Sequence, residues 1–466
     1  MVLSVGKIVW ETKDMPELDP GFMPLSGFFR AYRASVAKVG GTPVKIAVER
    51  EGGQVGVFEA DIHGTPEMRI ADEIFIERAV KTLLWAWGGW RVIVGGSCEM
   101  AAFLKDAYRM GGAREFDAVF MSKIYEKPFT VESRAPADVP GPAQSPKSIG
   151  RHLDGCRIGF DAGGSDRKVS AVVDGEAIWS EEVVWHPKLN ADPDYHFQGI
   201  VSAFKSAAAK MPRVDAIGVS SAGVYVANRT MAASLFIKVP EDAFNAKVKD
   251  IYIRAAKEIG PVPLEVANDG DVTALAGAME LDDTNVLGIA MGTSQAGGFV
   301  DDEGNITGWL NELAFVPLDL NPGAMEDEWS GDIGCGVKYF SQDGVIKLAP
   351  AAGIALEESA TPAEKLKAVQ KLMEAGDARA RRIYGSIGCY LGHALAYYAN
   401  FYDIKHVLLM GRVMSGEGGN IILARAQRVL ADEYPELARK IALHLPDEAS
   451  RRIGQSVAAA SLPEAK

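Results

Sequence analysis

Four short segments of this chain combine carboxylates, glycines and small hydroxyl residues in patterns suited to chemistry on a phosphate. The first is Gly159-Phe160-Asp161-Ala162-Gly163-Gly164-Ser165-Asp166-Arg167-Lys168. A strand delivers the Asp161 carboxylate into a glycine turn, and a second strand leaves it. Glycines lack side chains, so backbone N–H groups there can approach phosphate oxygens closely. A carboxylate at the same turn can hold hydrated magnesium against those phosphates. The second segment, Leu287-Gly288-Ile289-Ala290-Met291-Gly292-Thr293-Ser294-Gln295-Ala296-Gly297-Gly298, repeats the strand–turn–strand pattern. In the third, Val266-Ala267-Asn268-Asp269-Gly270-Asp271, Asp269 lies between a strand and a helix expected to begin near Val272. A carboxylate at a strand end suits a general base, a role that contributes roughly 10²–10⁴-fold to rate. Asp271 is read instead as the helix N-cap. The fourth, Val407-Leu408-Leu409-Met410-Gly411-Arg412-Val413-Met414-Ser415-Gly416, gives a flat backbone surface on which an adenine can lie. Taken singly, each segment is equally an ordinary turn or strand–helix junction.

The elements that must position these residues follow from apolar spacing. Helices are expected at 198–210, 243–259, 271–281, 363–375, 378–400 and 418–433, with short β-branched strands at 216–220, 264–266, 286–290 and 406–410. A hairpin followed by alternating strands and helices indicates α/β units around a largely covered sheet. Earlier in the chain, alternation at 43–49 and 54–60 reads as a hairpin around Glu51-Gly52-Gly53. Residues 71–86 read as a helix, 91–94 as a buried strand and 98–110 as a second helix. Between these two portions, residues 128–150 are rich in Pro, Ser, Ala and Gly without apolar periodicity, the signature of a linker or long surface loop. The resulting division is a mixed α/β accessory domain over 1–127, a linker over 128–154, and two further domains over 155–280 and 281–466.

Bulk properties narrow the class. At 466 residues the chain exceeds what one hydrophobic core usually organises, so more than one domain is expected. A formal net charge of −13, spread along the chain, argues against a nucleic-acid or anionic-membrane binder, which needs a basic face. The opening MVLSVGKIVWETKDMPE has no apolar core of signal-peptide length, and apolar runs elsewhere are short. The four cysteines, Cys98, Cys156, Cys335 and Cys389, share no close ligand spacing and read as reduced thiols of a cytoplasmic protein.

The order and spacing of the four segments resemble the ROK family of sugar kinases, within the actin, hexokinase and Hsp70 superfamily, over about residues 155–460. The family's D-x-G-G-T is matched by Asp161 to Ser165. Its G-T-G-x-G-G-G loop is matched by Gly292 to Gly298, with Ser294 and Ala296 in place of two glycines. Its N-D-A-N is matched by Asn268 to Asp271, and its late G-G-G-V turn by Gly411-Arg412-Val413. Ile217 to Gly223 stand where the family has G-V-P-G beside the sugar, and Asn311-Glu312-Leu313 where it has G-E-I. The resemblance implies α/β architecture of the actin-like ATPase (ribonuclease H-like) kind. Two such domains would close on a cleft, with ATP and Mg2+ on one side and a sugar deep between them. It implies that Asp161 holds magnesium through water and that Gly163, Gly164, Ser165, Lys168, Gly292, Thr293 and Ser294 contact phosphates. Gly411 and Arg412 would contact the adenosine, and Ser221, Gly223, Asn268 and Glu312 the acceptor. Asp269 would activate the acceptor hydroxyl. Assembly to a homodimer is a further implication.

Several family positions differ. Phe315 stands in place of a zinc-binding His, and the cysteine-rich run appears as Trp329-Ser330-Gly331-Asp332-Ile333-Gly334-Cys335-Gly336-Val337-Lys338 with one Cys. A structural zinc site needs about four ligands, so no zinc is expected. Val337 replaces a sugar-contacting Glu, and Ala233-Ser234-Leu235 a sugar-contacting P-N-L, which puts glucose specificity in question. The leading expectation is an ATP-dependent carbohydrate kinase. The alternative is a nucleotide- and sugar-binding sensor with weak turnover, and another is an actin-like ATPase acting on a protein partner. Residues 1–150 match no family motif, and a local echo (Val44 to Ala47 against Arg157 to Phe160, Val92 to Gly96 against Leu408 to Arg412) raises the question of a degenerate duplication.

Overall fold

The computed structural model describes residues 1–144, 148–446 and 448–465. By contact the chain divides into two compact units. One gathers residues 1–145, 289–297 and 310–445, and the other residues 146–288, 298–309 and 446–466.

The second unit is built on a five-stranded sheet. Strands Cys156–Ala162, Asp166–Val173 and Glu176–Val184 form an antiparallel meander. Ala216–Ser221 joins the first of them in parallel, and Leu264–Asn268 joins Ala216–Ser221 in parallel. One face of the central strand carries Ile158 and Phe160, with Phe160 edge-on to Phe204 at 5.3 Å between ring centroids. Phe204 belongs to helix Pro193–Ala208, which is capped by the Asp192 side chain and begins with a proline. His196, Ile200 and Phe204, spaced four apart, form its buried stripe. Helix Glu448–Ala460 lies directly against the sheet. A Cβ at Gly218 would fall 1.6 Å from the Ala459 carbonyl oxygen, so only glycine admits this approach.

The helix expected over 243–259 is broken into Glu241–Ala243, a π-turn at Phe244–Val248 and Ile251–Lys257. The Lys249 carbonyl accepts the Thr230 N–H at 2.8 Å, which draws it away from a helical ladder.

In the first unit, a four-stranded sheet runs in the order Val55–Ile62, Thr42–Glu49, Arg91–Gly95, Thr130–Arg134. The expected hairpin is present, with Thr42–Glu49 antiparallel to Val55–Ile62. Part of the stretch read as a linker is a strand instead, because Thr130–Arg134 pairs in parallel with Arg91–Gly95. It is a short, incompletely buried edge strand, which removes the apolar alternation that would have marked it. The duplication echo does not extend to topology. Thr42–Glu49 and Arg91–Gly95 pair antiparallel in one sheet, whereas the segments they echo, in Cys156–Ala162 and His406–Met410, belong to two different sheets.

A second sheet has the order Gln295–Val300, Val286–Met291, His406–Met410, Ala442–His444. The long helix Ala378–Tyr398 is buried along most of its length, and Leu25–Val39 and Arg69–Ala86 pack near its end. Phe29 meets Tyr397 edge-on at 5.0 Å, and Thr82 and Tyr397 share a hydroxyl hydrogen bond of 2.7 Å. Residues from before 128 and after 310 therefore share one core. Among the described residues, no helix is long and apolar enough to cross a membrane.

Candidate active site

In the second unit the register of three parallel strands brings Asp161, Ser221 and Asn268 to one sheet edge. Ser220 stands opposite Asp161, and Ser221 opposite Asn268. Ser220 Oγ donates to Asp161 Oδ1 at 2.9 Å. The Asp161 carboxyl is pushed up to about 6, first by burial and then by the nearby Asp269 charge, against the lowering effect of the Ser220 bond. Asp269 follows strand Leu264–Asn268 and opens helix Asp269–Leu281. Burial raises its pKa, opposed by the hydrogen bond from Gly270 N–H and the charge of Lys188. The two carboxylates therefore hold protons more readily than exposed ones do.

Helix Asp269–Leu281 starts earlier than apolar spacing suggests, and its cap is Asn268, whose side-chain oxygen accepts from Gly270 N–H at 2.7 Å. The Asn268 amide also donates to the Gly223 carbonyl at 2.8 Å. Asp271 is not the cap. It is buried within the helix, and its carboxylate accepts the Phe299 N–H at 3.1 Å, fastening the strand Gln295–Val300 to the helix. Gly298 permits this contact, since a Cβ there would lie 2.2 Å from the Gly270 carbonyl oxygen.

The glycine turn after Asp161 is braced by Trp185, whose Nε1 donates to the Gly163 carbonyl at 2.7 Å and whose N–H donates to the Ser165 carbonyl at 3.1 Å. Ser165 Oγ donates to Asp166 at 3.2 Å, and Lys168 Nζ lies 3.4 Å from Asp166. The Lys168 charge is thus engaged by a neighbour on the turn. A second cation, which no motif revealed, stands closer to the glycines: Lys188 Cε lies 3.2 Å from where a Gly164 Cβ would be. Ser221 is buried, and its oxygen accepts from Tyr225 at 2.7 Å and Tyr252 at 2.9 Å. Those two hydroxyls occupy the acceptor capacity of Ser221 that a ligand hydroxyl would use. Gly223 contributes its carbonyl to Asn268, as described above.

In the first unit, Gly292, Thr293 and Ser294 form a tight turn, with Gly292 N–H donating to the Ser294 carbonyl at 2.9 Å. Thr293 and Ser294 are exposed. The Gly292 carbonyl accepts the Gln342 N–H at 2.9 Å, tying the turn to helix Gln342–Leu348. Gly411 lies against the same strand end. At φ 96° a Cβ would fall 2.4 Å from the Met291 carbonyl oxygen. Arg412 is exposed, and its carbonyl accepts from Gln370 Nε2 at 2.7 Å. Gly292 to Ser294, Gly411 and Arg412 therefore gather around the end of strand Val286–Met291. Glu312 is half-buried at the start of a short turn, Leu313–Phe315. Among the described residues, no group of three or more His, Cys, Asp or Glu stands together as metal ligands.

These sheets and site elements define an actin- and hexokinase-like fold with mixed α/β sheets. The chain belongs to the ROK family, whose model matches residues 157–452. Among solved structures it is similar to a ROK hexokinase from Thermus thermophilus, at TM-score 0.50 and 19% identity over 66% of this chain and 97% of that one. A ROK family transcriptional regulator, a homolog of the E. coli MLC protein, gives TM-score 0.49 and 18% identity, covering 66% and 79%. A ROK family glucokinase from Streptomyces griseus, solved with glucose and AMPPNP, gives 0.47 and 20%, covering 66% and 98%. No curated protein matches the chain.

Proposed function

We propose that this protein is an ATP-dependent kinase that phosphorylates a hydroxyl of a sugar or sugar derivative, with Asp269 as general base. The observation that carries the proposal is the register of the three parallel strands, which sets Asp161, Ser221 and Asn268 at one sheet edge with Asp269 next in sequence. Open α/β sheets take up ligands outside the carboxyl ends of their strands. Asp269 has a raised pKa at such an end, which suits a base that must accept a proton and release it each turnover.

The remaining residues divide by charge. Backbone N–H groups of Gly163, Gly164 and Ser165 donate to phosphate oxygens, as do those of Thr293 and Ser294 on the turn that Gly292 closes, and Lys188 adds a positive charge at the first turn. Gly411 and Arg412 offer a backbone surface for the adenosine. Asn268 and Glu312 orient the acceptor. Asp161 fits a water-mediated magnesium site, because a carboxylate whose ionisation is opposed by burial and by Asp269 is favoured in charged form beside a cation. Bound there, the ion would neutralise phosphate charge, which is a major electrostatic contribution to phosphoryl transfer. Alignment of the acceptor and neutralisation of phosphate charge supply most of the catalysis in such a reaction. The same reading gives a small-molecule partner with no nucleic acid or membrane, a cytoplasmic location and a homodimer.

One observation favours a second reading, a nucleotide- and sugar-binding sensor with weak turnover. Val337, on the short turn Gly336–Lys338, offers only an apolar side chain at the position where the family pattern has a sugar-contacting Glu. Leu235 carries no such weight, because it is fully buried in the core of the second unit. ADP release measured against hexoses, amino sugars and polyols separates the two readings. Acceptor-dependent release supports the kinase. Tight nucleotide binding with no stimulation by any acceptor supports the sensor.

A further inference from the structure

We propose that helix Arg69–Ala86 is a positioning element for the acceptor end of the site, fixing the backbone that carries Glu312. This rests on the reading of Glu312 as a residue that orients the acceptor. A helix leaves its last carbonyls without partners inside the helix. Here the Leu83 carbonyl takes the Trp87 N–H at 2.8 Å, while those of Trp85 and Ala86 take the N–H groups of Glu312 and Asn311, each at 2.9 Å. Two consecutive amides of the acceptor segment thus complete the end of a helix from the part of the chain that matches no family motif.

The neighbours of Glu312 are held as firmly. Asn311 is buried at φ 51°, a left-handed conformation that Asn adopts more readily than most residues. Its side-chain oxygen accepts from the Tyr402 hydroxyl at 2.9 Å. Beyond Glu312, Phe315 packs on Trp85 with ring centroids 4.2 Å apart, and Trp85 Nε1 donates to Asp117 at 2.7 Å. The same helix sends Arg78 and Lys81 to Asp332 at 3.0 and 2.8 Å. The segment is therefore held on both sides of Glu312, whose side chain is half-buried. Displacing an orienting group by about 1 Å can cost on the order of 10²-fold in rate, so a fixed backbone has direct catalytic value.

The test compares Trp85→Ala, Trp85→Phe and Glu312→Gln in the full-length chain, with folding checked by circular dichroism. The probe is whichever sugar of the hexose and amino-sugar panel is turned over fastest, with ATP titrated in parallel. Trp85→Ala is expected to raise the acceptor KM about 10-fold or more with the ATP KM within about twofold, and Trp85→Phe to recover most of the loss. Amide hydrogen exchange without substrate is expected to quicken about 10-fold at Asn311 and Glu312 in Trp85→Ala, with Gly292 to Ser294 unchanged. Unaltered exchange at these amides, or an equal rise in both KM values, overturns the proposal. If Trp85→Ala does not fold, Asp117→Asn carries the same comparison, and no acceptor KM shift in it overturns the proposal. Quickened exchange with an unchanged acceptor KM in Glu312→Gln removes the acceptor role of Glu312, and the positioning function with it. Absence of turnover with every sugar in the wild-type chain instead defeats the kinase reading, while the exchange measurement still decides whether the helix holds the segment.

Discussion

Asn268 donates its side-chain amide to the Gly223 carbonyl at 2.8 Å while its side-chain oxygen caps helix Asp269–Leu281 through Gly270 N–H at 2.7 Å. One residue thus sets where the helix begins and fastens that point to the turn after strand Ala216–Ser221. Asn268→Ala loses both bonds, and removal of such a cap typically costs about 1 kcal/mol. Asn268→Asp keeps the capping oxygen but cannot donate to Gly223. The alanine variant should lose both stability and kcat/KM. The aspartate variant should keep most of the stability yet lose kcat/KM. Urea unfolding and steady-state kinetics check this, and equal stability losses in the two variants would defeat the division of roles.

Asp269→Asn removes the proposed base with almost no change in shape. Turnover should fall by roughly 10²–10⁴-fold while affinity for a non-hydrolysable ATP analogue stays the same. Full activity in this variant would show that another group takes the acceptor proton, and loss of nucleotide binding would show that Asp269 acts in holding the nucleotide.

Two lysines near the first glycine turn give a direct contrast. Lys168 pairs with Asp166 at 3.4 Å, whereas Lys188 Cε lies 3.2 Å from the position of a Gly164 Cβ. A cation aimed at transferring phosphate commonly supplies about 10²-fold or more. Lys188→Met should therefore lower kcat/KM for ATP by about that factor, and Lys168→Met should change it much less. The reverse order in the kinetics would return the phosphate role to Lys168.

The setting of the second unit's candidate residues was legible in the sequence because it is local. Asp161 precedes a glycine turn, Asp269 stands at a strand–helix junction, and those patterns need few residues to recognise. What was not legible depends on pairings far apart in the chain. Asp271 reads as a cap until Phe299 N–H is found on its carboxylate. Lys188 lies in a short turn, Pro187–Leu189, that belongs to no motif. Strand Thr130–Arg134 was hidden by its partial exposure, and the Lys249 carbonyl, taken by Thr230, broke a helix that apolar spacing made continuous. Phe315 looked like a loss from the family pattern, and Asp332 lies in the run that keeps a single Cys. In the structure they are where the N-terminal region docks, Phe315 on Trp85 and Asp332 on Arg78, Lys81 and Arg114. A substitution that breaks a motif can thus complete a contact made by another part of the chain.

That docking has a pH signature. Asp332 is buried and lies 3.0 Å from Arg78, 2.8 Å from Lys81 and 2.8 Å from Arg114. Burial alone would raise its pKa, but the three cations hold the carboxyl far below the usual carboxylate range. The folded state therefore favours the ionised form more than the unfolded chain does. The resulting stabilisation is fully present above the unfolded value of about 3.9 and is lost as pH falls from there through the depressed folded value. Asp332→Asn leaves three buried or half-buried cations without this partner, and breaking such a cluster from one side costs about 3–5 kcal/mol. Urea unfolding should show that cost in full at pH 7. As pH is lowered below about 4, the wild type should approach the variant, because protonation removes the same charge. A difference that stays constant across this range would mean that Asp332 contributes by packing and hydrogen bonding instead of by its charge.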